Sequence, residues 1–357
     1  LDYTAKQSQL LQLATERMPD DFEAWLQYGH SCTSLGQDLQ ARDAYQHALR
    51  IEPDNVHALS ALMRAERCVG DWQQYETRLQ QVLHAAVHSD VPVNPFLMTI
   101  VSDDLALQRR TAELESALIG QHIHPLPFAS NPARRAGQQR LRIGYFSADF
   151  HDHATSYLMA QMLESHDRQH FEIFAYSFGP NARQHSYRQR LERGIEHFHE
   201  VSALGPRTIA ELARTHKLDI AVDLKGHTRQ GRPHIFAWRA APLQVSYIGF
   251  PGTSGAPWMD YVVGDATVIP PNYEAFYTEQ VIRLPGCYQA NDTLRAVATP
   301  GISRAQAGLP EDALVLCCFN STFKISPDIF QVWLRILKQV PHAVLWRFDK
   351  NRQVQGT

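Results

Sequence analysis

DFHDHATSYLM, residues 149–159, decides the reading of this chain. It follows an apolar run, Leu141–Ser147, and leads into a helix expected to begin near Thr155. A strand, a short polar loop and a helix start make one βα corner. In doubly wound sheets, ligands bind beyond the carboxyl ends of such strands. Asp149, His151, Asp152, His153, Thr155 and Ser156 fall within eight residues, more polar chemistry than a connection requires. A capped helix start, with Asp152 or Thr155 as the cap and solvated histidines, reads the same residues without a function.

Beyond this corner, apolar strands alternate with amphipathic stretches. Strands are expected at 142–147, 172–178, 219–224, 244–250, 261–264, 281–284, 314–319 and 343–346. Helices are expected at 155–164, 182–193, 206–217, 233–238 and 327–339. This alternation predicts a parallel α/β sheet of doubly wound type.

The region before it has another period. From Phe22, the residues Trp25, Tyr28, Gly29, Ala41, Tyr45, Ala48 and Pro53 follow at offsets 3, 6, 7, 19, 23, 26 and 31. Pro19-Asp20 and Pro53-Asp54 lie 34 residues apart. That is the tetratricopeptide pattern, with small residues where helices cross and aromatics filling the gap. Residues 1–18 resemble the second helix of a unit, and 56–89 a degenerate terminal repeat. The expected layout is helical repeats over 1–90, a connector over 91–140, an α/β lobe over 141–300 and the start of a second lobe over 301–357. Within the connector a helix is expected at 103–119, followed by the proline- and arginine-rich 124–140, suited to an extended crossing.

Composition sets the outer limits. The 357 residues are 44% apolar, with 34 basic and 37 acidic side chains and a formal net charge of -3. This balance gives no reason to expect nucleic acid or an anionic membrane as partner. No run of 18 apolar residues is present, and the expected location is the cytoplasm. Cys32, Cys68, Cys287, Cys317 and Cys318 are scattered, with no C-x-x-C pair, which argues against a disulfide framework or a cysteine zinc site.

Three further strand ends carry loops of interest. KGHTRQGRP, 225–233, places Lys225, His227, Arg229 and Arg232 around two glycines, suited to an anionic or sugar-bearing ligand or simply to a solvated loop. PGTSGA, 251–256, lets backbone approach a ligand closely, without a Walker or dinucleotide spacing. NSTFKISP, 320–327, sets Lys324 just before a helix whose first turn holds Pro327. A lysine beside a helix N-terminus suits phosphate.

In their order, LRIGYFSADF-HDHATSYLM, APLQVSYIGFPGTSGAPWMDYVV, YTEQVIRLPGCY and CFNSTFKISPDIFQVWLRILKQVPHAVLW resemble the catalytic region of protein O-GlcNAc transferases, bacterial members included. Tetratricopeptide repeats precede that region in the family too. The resemblance implies a GT-B fold and an inverting, metal-independent transfer with no cofactor. A nucleotide sugar, UDP-GlcNAc, would donate to serine or threonine of a protein or peptide acceptor. It implies His153 near donor and acceptor as a possible base, and Lys324 on the diphosphate. Pro251, Gly252, Thr253, Ser321 and His227 would line the donor site; Ser321 stands where the family often has an amide. The sister branch is the Spindly-type O-fucosyltransferases, which use GDP-fucose, and GHT at 226–228 fits it. After Trp346 only RFDKNRQVQGT remains, so the second lobe is expected to be incomplete and the chain alone to have little activity. A non-catalytic, repeat-bearing binding module is the other expectation.

Overall fold

The computed structural model describes residues 3–125, 128, 140–296 and 301–348. The chain forms two compact units. One contains the described residues up to Val101 together with those of 301–348, and the other spans Ser102–Ala296.

The first unit opens with helices α1 (Tyr3–Arg17), α2 (Phe22–Leu35), α3 (Asp38–Ile51), α4 (Val56–Val69), α5 (Tyr75–His88) and α6 (Pro95–Val101). The repeat spacing explains their packing. Asp21 caps α2, its Oδ1 accepting from the amides of Glu23 and Ala24 at 2.9 and 3.2 Å. Gly29 faces the Tyr45 ring so closely that a Cβ there would fall inside it. The Tyr45 hydroxyl bonds His30 Nδ1 at 2.9 Å and Thr33 Oγ1 at 3.0 Å, so the buried ring leaves no polar atom stranded. Ala41, Ala48, Ala58 and Ala65 let the helices approach, and Leu26 and Leu62 fill between them.

The second unit begins with α7 (Leu105–Gly120), capped by Asp104, where the connector helix was expected. Segment 124–140 lies for the most part outside the described residues. Next come β1 (Leu141–Ser147), α8 (Ala154–Glu164), β2 (Phe171–Ser177), α9 (Ser186–Gly194), β3 (His197–Glu200), α10 (Pro206–Thr215), β4 (Ile220–Asp223), α11 (His234–Ala237), β5 (Leu243–Ser246), β6 (Tyr261–Gly264) and β7 (Gln280–Arg283). They form one seven-stranded sheet in the order β3-β2-β1-β4-β5-β6-β7, every pairing parallel. Both faces are buried, as a parallel sheet requires. Phe146, Phe174, Tyr176 and Ala221 pack with Ile209 and Ala213 of α10. Ile143, Tyr145, Ile173 and Val222 pack with Met159 and Leu163 of α8 and Leu191 of α9.

The chain then returns to the first unit with β8 (Leu314–Cys318), α12 (Pro327–Gln339) and β9 (Ala343–Arg347), the two strands pairing in parallel. Trp72 lies against Phe330 of α12 at 5.2 Å between ring centroids, and Phe96 against Phe323 at 6.1 Å. The last repeat thus packs on α12, and α6 on the segment that leads into it.

Three expectations are corrected. The strand expected over 244–250 ends at Ser246, because Ile248 and Gly249 adopt φ 55° and 83° and turn the chain out of the sheet. Strand β3 was not expected, since HFHE offers no apolar run. Neither Asp152 nor Thr155 caps α8; His153 does.

Candidate functional site

The sheet order places a topological switch between β1 and β4. From β1 the chain steps outward to β2 and β3, then returns to the other side of β1 as β4. The crevice beyond the carboxyl ends of those two strands is where α/β sheets bind ligands. The loops leaving β1 and β4 carry Asp149 and Lys225.

These two residues form a buried ion pair. Lys225 Nζ lies 2.8 Å from Asp149 Oδ2, with each side chain 6% exposed. Asp149 Oδ2 also accepts from Thr155 Oγ1 at 3.3 Å, and the Asp149 carbonyl accepts from Ser156 Oγ at 2.6 Å. Most of the polar density of the corner is therefore spent internally. Lys225, read as an outward cation, is instead the counter-ion of Asp149. Its backbone amide donates to Asp223 Oδ1 at 2.8 Å. Burial pushes the Asp223 carboxyl above its ordinary range.

His153 stands at the rim of this pair. Its extended backbone, φ −146° and ψ 154°, lets Nδ1 accept from the Thr155 amide at 3.2 Å. A backbone amide can only donate, so the neutral ring carries its hydrogen on Nε2. Nδ1 also lies 3.4 Å from Asp149 Oδ2, the contact a protonated ring would use. Burial lowers the pKa of His153, as do the charges of Lys225 and His151, while Asp149 opposes them. The neutral ring, with Nε2–H directed away from the cap, is the form favoured near neutrality.

The next two loops are tied together. His227 Nε2 donates to the Ser254 carbonyl at 2.7 Å, and Ser116 Oγ of α7 donates to the same oxygen at 2.7 Å. His227, Asp223, Ser116, Ser254 and Trp258 line a cavity of about 10 Å³, room for about one water. Thr253 is buried, its hydroxyl donating to Glu279 Oε2 at 2.6 Å while the Ser254 amide donates to Oε1 at 2.7 Å. Pro251 is exposed and Gly252 half-buried, which leaves them as the accessible part of the loop. Gly255, at φ 64°, presses so closely on Ala112 and Glu113 of α7 that a Cβ would overlap their backbone.

Ser321 and Lys324 belong to the first unit. Thr322–Lys324 forms a single 3-10 turn, with the Lys324 amide donating to the Ser321 carbonyl at 3.0 Å. The Lys324 side chain is exposed, two residues before Ser326, the N-cap of α12. Position and exposure both suit an anion.

The family model described as glycosyl transferase family 41 matches residues 69–298 and 295–353. The chain belongs to glycosyl transferase family 41. Among its relatives, this family 41 chain is 38% identical over 276 residues to the probable UDP-N-acetylglucosamine–peptide N-acetylglucosaminyltransferase SEC of Arabidopsis thaliana, covering 74% of the chain and 27% of the relative. It is 31% identical over 214 residues to the SPINDLY protein of Solanum lycopersicum, covering 58% and 22%. Among solved structures, a mutant Thermobaculum terrenum O-GlcNAc transferase superposes with a TM-score of 0.73 at 26% identity, over 96% of this chain and 65% of that one. The architecture of helical repeats followed by a seven-stranded parallel sheet matches the O-GlcNAc transferase fold, as the GT-B resemblance implies. The family 41 chain spans about a quarter of the length of these two curated relatives.

The sequence did not reveal the Asp149–Lys225 pair. Its only signal was that both residues closely follow strands, and their adjacency depends on the strand order.

Proposed function

We propose that this family 41 chain acts in protein O-glycosylation, transferring GlcNAc from UDP-GlcNAc to serine or threonine hydroxyls of a protein acceptor. The observation that carries this reading is the corner at the β1/β4 switch, where His153 presents Nε2–H above a buried Asp149–Lys225 pair. It occurs in a chain that the family model covers on both sides of residue 297. In the proposed step the acceptor oxygen attacks the anomeric carbon. The bond from that carbon to the diphosphate oxygen breaks, and the diphosphate leaves with the electron pair. The acceptor proton passes to the departing diphosphate. A donor at Nε2 suits His153 to holding a substrate oxygen rather than to removing a proton.

Charge grows on the leaving diphosphate, and Lys324 at the start of α12 would stabilise it. No resident metal or organic cofactor belongs to this reading. Pro251 and Gly252 offer backbone to the donor; Thr253, His227 and Ser321 shape the loops behind it. Among the described residues no helix is long and apolar enough to cross a membrane. A cytoplasmic setting completes the proposal, supported by five free cysteines.

The test is transfer to a serine-rich peptide, followed as the mass of one N-acetylhexosamine, with UDP-GlcNAc and GDP-fucose offered separately. Transfer from UDP-GlcNAc that is lost in Lys324→Ala supports the proposal. Transfer from GDP-fucose alone overturns the donor, and full activity in Lys324→Ala overturns the role of that lysine. Peptide binding without transfer or nucleotide binding would favour the non-catalytic module.

A further inference from the structure

Arg67 sits in the last turn of α4 and is 2% exposed, unusual for a guanidinium. Its Nε–H donates to the carbonyl of Phe323 at 2.8 Å. One terminal nitrogen donates to the Tyr75 hydroxyl at 2.9 Å, and the cation lies 5.5 Å from the centroid of that ring. These partners are neutral. Burying a charge is costly and is tolerated where its hydrogen bonds are well made. The feature that Arg67 secures is the peptide unit entering Lys324.

That peptide is planar, so the Phe323 carbonyl and the Lys324 amide move as one body. Arg67 holds the oxygen, and the Ser321 carbonyl holds the amide at 3.0 Å. With both ends fixed, that plane is set. The Ile325 amide, donating to the Thr322 carbonyl at 2.9 Å, holds the next peptide, and the two planes together set the direction in which the Lys324 side chain leaves the backbone. Around this point Phe96 packs against the Phe323 ring, and Trp72 against Phe330 in the first turns of α12. A residue of the helical repeat thus reaches 256 positions along the chain to orient a turn whose one exposed cation is Lys324.

We infer that Arg67 is a positioning residue for Lys324, aiming its ammonium at the diphosphate of a nucleotide sugar. The inference rests on the proposed role of Lys324. Arg67 touches no substrate; it acts through the peptide bond between Phe323 and Lys324. The helical repeat then has a part in donor binding besides any part in acceptor recognition.

The experiment is UDP binding to the full chain by calorimetry, in a double-mutant cycle of Arg67→Met and Lys324→Ala. Arg67→Lys serves as the conservative variant. Arg67→Met is expected to weaken UDP about tenfold, and to have no further effect when Lys324 is already alanine. Arg67→Lys, with a shorter reach and one donor centre, falls between Arg67→Met and the unmutated chain. Amide hydrogen exchange at 322–325 should quicken in Arg67→Met while the rest of α4 keeps its protection. Equal weakening in both backgrounds, or no weakening with exchange unchanged, overturns the inference and leaves the Lys324 reading intact. If Arg67→Met does not fold, the same comparison is made with Arg67→Lys, and unaltered UDP affinity there overturns it. A chain that does not bind UDP, or whose Lys324→Ala variant binds it as tightly, overturns the underlying reading instead.

Discussion

Lys225 Nζ and Asp149 Oδ2 meet at 2.8 Å across the crevice between β1 and β4, and almost no water reaches either side chain. The pair locks together the two loops between which the sheet order reverses. Replacing Lys225 by Met removes the counter-ion and leaves a carboxylate in the same buried place. Breaking such a pair from one side costs about 3–5 kcal/mol. Lys225→Met should lower the urea midpoint accordingly, and adding Asp149→Asn should restore part of the loss. An unchanged midpoint would mean that the pair is not buried in solution.

His153 separates two jobs, capping and donating. His153→Ala loses the cap of α8, a cost of about 1 kcal/mol, and should lose transfer. His153→Asp can still cap but offers no donor outward, so a normal melting temperature with greatly reduced transfer is expected. His153→Asn caps and keeps a donor and should retain part of the rate. An active His153→Asp variant would argue for proton removal at this position.

The pH profile tests the same assignment. Burial and neighbouring cations lower the His153 pKa, so the working neutral ring prevails at pH 7. Transfer should be level from neutrality upward and fall only on the acid side, below the ordinary histidine value of about 6.5. A rate that instead falls as the pH rises from 7 to 8 would point to a protonated ring as the working form.

Gly255 admits no side chain. Its φ is 64°, and a Cβ would overlap the backbone at Ala112 and Glu113. Gly255→Ala combines left-handed strain of about 1–2 kcal/mol with a backbone collision. The expected result is a marked loss of soluble folded protein, read from expression yield and near-ultraviolet dichroism. Gly205→Ala, where a Cβ meets nothing, is the control.

Acid sensitivity should have a source away from the site. His199 stacks on His216 at 4.5 Å between ring centroids, with Tyr176 and Phe174 beside it. Burial, then the charges of His216 and His197, lowers its pKa to about 4. The unfolded chain binds this proton from about pH 6.5 downward, the folded chain only near 4. Between these values unfolding takes up a proton, so the contribution is full above pH 6.5 and is lost as the pH falls towards 4. His199→Phe should flatten that fall in chemical denaturation at pH 5 relative to pH 7.

Local order was legible in the sequence. The repeat offsets from Phe22 predicted α2 and α3, and the small residue at Gly29 foretold the close Tyr45 ring. The β1–α8 corner was visible because an apolar run met a polar loop. Longer-range relations were not. Lys225 looked like an outward cation because nothing in KGHTRQGRP states that its strand lies beside β1. Thr253 and Ser254 looked open to ligand because Glu279, which engages both, lies about 25 residues away. Ile248 carried a strand-forming side chain into a left-handed turn, a case in which tertiary context overrides propensity.

The division of the chain also has a consequence in time. The unit that holds the helical repeat also includes residues 301–348, with the whole seven-stranded unit made in between. At ribosomal speeds of about 5–20 residues per second, α4 waits roughly 13 to 50 s before the turn that accepts from Arg67 is synthesised. During that interval the guanidinium has the Tyr75 hydroxyl, eight residues on, but its Nε–H must be satisfied by water, since the Phe323 carbonyl does not yet exist. A ribosome stalled near residue 300 would present Arg67, Trp72 and Phe96 without the residues that pack on them.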